Sequence, residues 1–295
     1  MHRITEGAVA GHEQRPARPS SPFARTALLA AVLGTALVAW IVTAQRMRGM
    51  DAGPGTDLGA FVPYLGIWTT MTAAMMLPTE SRTILIFSRA RGGAQIGEFV
   101  TGYLIAWTAY GLAAYALYRG VRAADPAFLA WDHAGPWIAG GALAAAGIYQ
   151  LTPLKSACLR HCRSPLQFLL RGRPGRPGAV HMGVEHGAVC VGCCFGLMLS
   201  LFALGVMSLV WMGVVSLAIL IEKTLPRGDA FGRALAVALL GLGVWVALSP
   251  GSVPGLTQPR AMQMHHSAGG HRTDTSTHTG MDVNANMNTD MGMRP

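Results

Sequence analysis

Apolar and polar positions along this chain alternate in blocks, not with the period of two of a half-buried strand. Apolar runs of roughly the length needed to cross a bilayer, near 20 residues, recur at residues 26–44, 58–77, 99–118, 137–154, 187–204, 207–221 and 231–249. Only the last contains a charge, Arg233, whose long stem can snorkel to the surface. The stretch 187–221 is uncharged for 35 residues. As one helix it would measure roughly 52 Å at 1.5 Å per residue, against a hydrocarbon slab of about 30 Å. It is therefore predicted to fold back on itself near Leu204-Gly205-Val206-Met207-Ser208. The expectation is an all-α, polytopic helical membrane protein with seven transmembrane helices. Six is the alternative, because the sixth and seventh runs are the weakest.

Three regions follow from this pattern. Residues 1–25 are polar and Pro-containing and read as a disordered cytoplasmic N-terminus. Residues 26–250 form the membrane domain. Residues 251–295 are rich in Gly, Ser, Thr, Asn, His and Met without a core-forming pattern and read as a disordered tail. Val42-Thr43-Ala44 resembles a signal cleavage site, but an apolar core of about 19 residues exceeds the 7–15 of a signal peptide. A retained anchor is expected. No internal repeat suggests an inverted-repeat transporter.

Composition agrees with the membrane reading: 51% of residues are apolar and 13% charged. Lys and Arg outnumber acids 23 to 14, which would suit nucleic acid, but they sit in short stretches between apolar runs, where topology places them. Nucleic-acid binding is set aside on that distribution. With the N-terminus inside, sixteen basic residues fall on the inner side and seven on the outer. The positive-inside bias then predicts a bacterial inner membrane protein with a cytoplasmic N-terminus and an exported C-terminus. The loop holding Lys155, Arg160, Arg163, Arg171, Arg173 and Arg176 decides it. In this orientation every chemically unusual residue of the membrane domain falls in its cytoplasmic half.

The chemistry is concentrated in thiols. Cys158-Leu159-Arg160-His161-Cys162 places two cysteines four apart on one helical face, with His161 three on from Cys158. Cys190-Val191-Gly192-Cys193-Cys194 follows, and His186, Cys190, Cys194 and Met198 recur every four residues as a stripe of soft ligands. Thiolate and imidazole suit Zn, Cu(I) or iron–sulfur. Single cysteines are commonly small buried hydrophobes, but five in two clusters point to one metal centre. Because all five fall on the reducing side, structural disulfides are not expected. Met71, Met75 and Met76 add thioethers, which prefer Cu(I), although such a stripe also serves as flexible packing. Pro78 is expected to end or kink that span, with Thr79, Glu80, Ser81 and Arg82 as a polar mouth. Lys155, Glu222 beside Lys223, and His181 beside Glu185 are candidate supports of the ligands or of the mouth. In the tail, His265, His266, His271 and His278 stand among Met262, Met264, Met281, Met287, Met291 and Met293. Thioether with imidazole favours capture of copper over zinc, and a tail without function is the plainer alternative.

The strings Met71-Thr72-Ala73-Ala74-Met75-Met76-Leu77-Pro78, Tyr149-Gln150-Leu151-Thr152-Pro153-Leu154-Lys155, Cys158-Leu159-Arg160-His161-Cys162-Arg163-Ser164-Pro165, Gly187-Ala188-Val189-Cys190-Val191-Gly192-Cys193-Cys194 and Met207-Ser208-Leu209-Val210-Trp211-Met212 resemble a bacterial family of predicted metal-binding integral membrane proteins, a domain of unknown function. The likeness covers residues 60–250. It implies a multispan helical protein with a metal site, and no reaction.

The expected function is non-enzymatic: binding and trafficking of a soft metal ion, Cu(I) first and Zn second. The lipid bilayer, the metal ion and a metallochaperone or metalloenzyme are the expected partners. Two alternatives stay open: a membrane thiol-disulfide oxidoreductase using Cys190 and Cys193, resolved by Cys158 or Cys162, and a structural assembly partner of a metalloenzyme. No nucleotide-binding loop is present, so an ATP-driven pump is excluded.

Overall fold

The computed structural model describes residues 22–49, 57–91, 93–124, 133–164, 175–225, 228–254 and 256. These all fall in the first of two units, Met1–Pro259. The tail residues His265, His266, His271, His278, Met262 and Met264 belong to the second unit, Arg260–Pro295, and lie outside the described residues, as do residues 1–21.

Eight α-helices make up the described chain: α1 (Pro22–Met47), α2 (Phe61–Arg91), α3 (Ile96–Ala124), α4 (Gly135–Gln150), α5 (Pro153–Arg163), α6 (Gly175–Leu204), α7 (Leu209–Thr224) and α8 (Gly228–Leu248). Each of the seven apolar runs becomes a helix. Among the described residues, four stretches are long and apolar enough to cross a membrane by length and composition: Pro22–Met47, Gly93–Ala124, Gly175–Leu204 and Ala230–Leu248. The remaining three fall short for physical reasons. α4 and α7 have 16 residues each, roughly 24 Å at 1.5 Å per residue. α2 dilutes its apolar run with Thr69, Thr70, Thr72, two prolines and aromatic groups.

The uncharged stretch does fold back where expected. α6 ends at Leu204, Gly205 takes a positive φ of 109°, and α7 begins at Leu209. The positive φ favours glycine, since a Cβ there is strained. Two expectations are corrected. Of the two outcomes expected at Pro78, ending the span is the one overturned: α2 runs on to Arg91 with the proline inside. The Thr79 hydroxyl donates to Met76 O at 2.8 Å and Ser81 to Pro78 O at 2.9 Å, giving local polar support where proline removes a ladder donor. The fourth run does not continue to Leu154. Thr152-Pro153 breaks it and starts α5: the Thr152 side chain accepts from Lys155 N at 3.3 Å, with proline in the first turn, where its missing N–H costs nothing. The first thiol pair therefore rides on a helix of its own.

α6 is the central element, packed against α3, α4, α5 and α7. Its crossing with α3 is made by glycine: a Cβ at Gly102 would collide with Val180 O, and one at Gly183 with Phe99 O. Small residues of this kind let two backbones approach closely. α2 is pinned to α3 by Tyr64 Oη donating to Gly111 O at 2.9 Å and Trp68 Nε1 donating to Trp107 O at 3.0 Å. α1 packs along α2, and α8 along α4.

Candidate metal centre

The α3–α6 contact brings Tyr103 beneath the inner face of α6, where Cys190, Cys193 and Cys194 are buried. α5 adds Cys162 from the side. The sulfurs of Cys162, Cys190 and Cys193 all lie within 4.8 Å of one another. Cys162 Sγ is 3.4 Å from Cys193 Sγ, and Cys193 Sγ is 3.5 Å from Cys194 Sγ. A thiolate-bound ion needs sulfurs about 2.3 Å from the metal and hence roughly 4 Å apart. Three of the five cysteines lie near that spacing, with Cys194 beside them.

Cys190 is held by more than sulfur. Tyr103 Oη is 3.1 Å from its Sγ, and Lys223 Nζ donates to it at 3.0 Å. The same ammonium donates to Glu80 Oε1 at 2.5 Å and Thr79 Oγ1 at 3.4 Å. The other oxygen of Glu80 is 2.6 Å from His186 Nε2. A chain of polar contacts therefore runs from α6 (His186) through α2 (Glu80) and α7 (Lys223) back to α6 (Cys190). It is shut away from solvent, with Glu80 2% exposed. Isolated charges are not stable at such depth; paired and hydrogen-bonded ones are.

The remaining candidate residues are placed as follows. Met71, Met75, Met76 and Met198 are buried in the same apolar core as the cysteines. Cys158 is half-buried on α5 and faces Gly192, where a Cβ would come within 2.9 Å of its sulfur. Burial pushes the Cys158 thiol above its ordinary value. His161 is not brought into the cluster; its ring is exposed, with Nδ1 3.1 Å from Ala157 O of its own helix. His181 is likewise exposed, paired with Glu185 at 3.6 Å along the outer face of α6. The reason is helical phase: the buried face of α5 carries Lys155, Leu159 and Cys162, and His161, one position before Cys162, is turned about 100° from it, as His181, five before His186, is turned from the buried face of α6. Glu222 and Lys155 form a buried ion pair between α7 and α5.

Sequence reasoning missed Tyr103 and misplaced two others. The sequence places Glu80 at a polar mouth and Lys223 only beside Glu222, among the supports of the ligands or of the mouth, yet both are buried and Lys223 touches Cys190 itself. The available signal was helical spacing: Glu80 lies four residues past Met76, on the face that carries the thioethers. Tyr103 offers no such signal in an otherwise apolar run.

Residues 65–246 match the family model PpoB2, described as a copper chaperone. The chain belongs to that family. The matched stretch, well over half of the chain, includes Glu80, Tyr103, all five cysteines, His186 and Lys223, and leaves out α1 and the tail. The metal-related character implied by the resemblance at residues 60–250 is supported by this match. No curated protein and no solved structure matches the chain. A copper-chaperone family and a buried cysteine cluster together are compatible with metal binding.

Proposed function

We propose that this chain is a non-enzymatic, multi-pass membrane copper chaperone that holds Cu(I) at Cys162, Cys190 and Cys193, with Cys194 as the adjoining thiol. The observation that carries the reading is the sulfur trio, all within 4.8 Å, inside the stretch matched to the family. Soft thiolates with thioethers in the same core suit Cu(I), and zinc, which takes thioether poorly and would draw on Cys194 as a fourth thiolate, comes second. Met71, Met75, Met76 and Met198 share the core with the thiols and serve as thioether stations toward them.

The membrane part of the proposal rests on an apolar exterior. Leu37, Leu117, Val237 and Leu248 are each more than half exposed on α1, α3 and α8. Soluble monomers rarely present continuous apolar faces of that kind. We take α1, α2, α3, α4, α6, α7 and α8 as the spans, with α5 at the cytoplasmic face and the His/Met tail exported to collect copper. The ion would then be handed to a metallochaperone or metalloenzyme.

A second reading, thiol-disulfide exchange, draws on the 3.4 Å contact between Cys162 and Cys193. Exchange with a protein substrate requires an accessible attacking thiolate, and Cys190, Cys193 and Cys194 are 0–2% exposed. A small ion reaches such a place more readily than a substrate disulfide. Elemental analysis of protein purified under reducing conditions separates the two. The copper reading expects near-stoichiometric copper that is lost in Cys193→Ser. A metal-free protein that traps a mixed disulfide in the same variant would move exchange ahead.

A further inference from the structure

Thiolates alone do not choose between Cu(I) and Zn(II), since both ions accept them. The structure holds a feature that does choose. We infer that Lys223 is the specificity-determining residue of the thiol centre: its ammonium, 3.0 Å from Cys190 Sγ, admits singly charged soft ions and disfavours divalent ones. This inference rests on the soft-metal reading of the same site and deepens it.

The ammonium is fixed in place. It donates at once to Glu80 Oε1, Thr79 Oγ1 and Cys190 Sγ, from two different helices. Glu80 is itself anchored by His186 at 2.6 Å. Swinging Lys223 out would take its ammonium partner from the buried Glu80 carboxylate, which costs far more than a surface rearrangement. The positive charge therefore stays while an ion is bound.

An ion held by Cys190 would lie about 2.3 Å from its sulfur, a few ångströms from Nζ. Coulomb repulsion scales with the product of the charges, so a divalent ion meets twice the repulsion of a monovalent one. Salt screens such a buried pair poorly. Glu80 moderates the field without reversing it, because the ammonium and not the carboxylate touches the sulfur.

The test is a competition titration on the full-length protein in detergent under reductant, with Ag(I) standing in for Cu(I) and Cd(II) for Zn(II). Cd(II) binding is followed by its thiolate charge-transfer absorbance. Wild type should favour Ag(I) strongly. The double variant Glu80→Gln/Lys223→Gln, which leaves no carboxylate stranded, should shift the affinity ratio toward Cd(II) by at least tenfold. Lys223→Arg, which keeps the charge, should hold the wild-type ratio. An unchanged ratio in the double variant, with both ions still bound, overturns the inference and leaves the thiol site standing. Wild-type protein that binds Cd(II) as tightly as Ag(I) overturns it whatever the variants do. If wild type binds neither ion, the metal reading itself fails and the inference falls with it.

Discussion

Glu222 and Lys223 are neighbours in sequence, buried at the same end of α7, and they reach different helices. Glu222 pairs with Lys155 of α5, covered by α8 so closely that a Cβ at Gly232 would stand 2.8 Å from Glu222 Oε1. Lys223 pairs with Glu80 of α2 but also donates to Cys190. The first pair joins two helices carboxylate to ammonium. The second shares its cation with a nucleophilic sulfur. Burial alone therefore does not mark a functional charge; what marks it is a partner with chemistry of its own.

Separating the two pairs should have its largest effect on stability. Removing one partner of a buried pair leaves an uncompensated charge, at a cost of about 3–5 kcal/mol. Glu222→Leu should therefore lower the thermal midpoint markedly, and Lys155→Met/Glu222→Met should recover most of the loss, since apolar replacement of a whole pair is often neutral. Metal binding should survive in that double variant. A double variant as unstable as the single one would mean that the pair does more than join α5 to α7.

Next in size is the helix crossing that sets Tyr103 beneath Cys190. Gly183→Ala places a methyl group against Phe99 O, and overpacking typically costs about 1–3 kcal/mol. A denaturant or thermal scan reads the loss, and metal affinity should fall with it because α3 and α6 must separate. Gly141, whose added Cβ meets nothing within 4 Å, serves as the control, and Gly141→Ala should be near neutral.

The smallest effect expected is at Cys158, the thiol outside the trio. Its raised pKa keeps it protonated at neutral pH, and protonated thiols alkylate slowly. Maleimide labelling of Cys158 should accelerate as pH rises toward and through that elevated value, and Cys158→Ser should leave bound metal in place. Rapid labelling at neutral pH would contradict the burial described for it.

Much of this was legible in the chain. The charge-free stretch 187–221 was too long for one span, and α6 does end at Leu204. Cysteines spaced by three and four on one helix had to share a face, and Cys190, Cys193 and Cys194 are buried together. What could not be read is whatever depends on partners distant in sequence. Glu80 and His186 meet across 106 positions, and Lys223 and Glu80 across 143. Beyond the place of Glu80 four residues past Met76, nothing local distinguishes those charges from surface ones. Thr152-Pro153 was readable in principle as a helix start, yet the apolar run continuing to Leu154 concealed the break. From that separate helix both thiols of α5 meet α6, Cys162 against Cys193 and Cys158 against Gly192.

The central claim is a sulfur-bound ion at Cys162, Cys190 and Cys193, and X-ray absorption on copper-loaded protein under reductant tests it most directly. The account predicts Cu(I) in a shell of sulfur alone, unchanged in Cys158→Ser and His161→Ala and lost in Cys162→Ser or Cys193→Ser. A shell of nitrogen and oxygen, or a sulfur shell indifferent to Cys162 and Cys193, would contradict it.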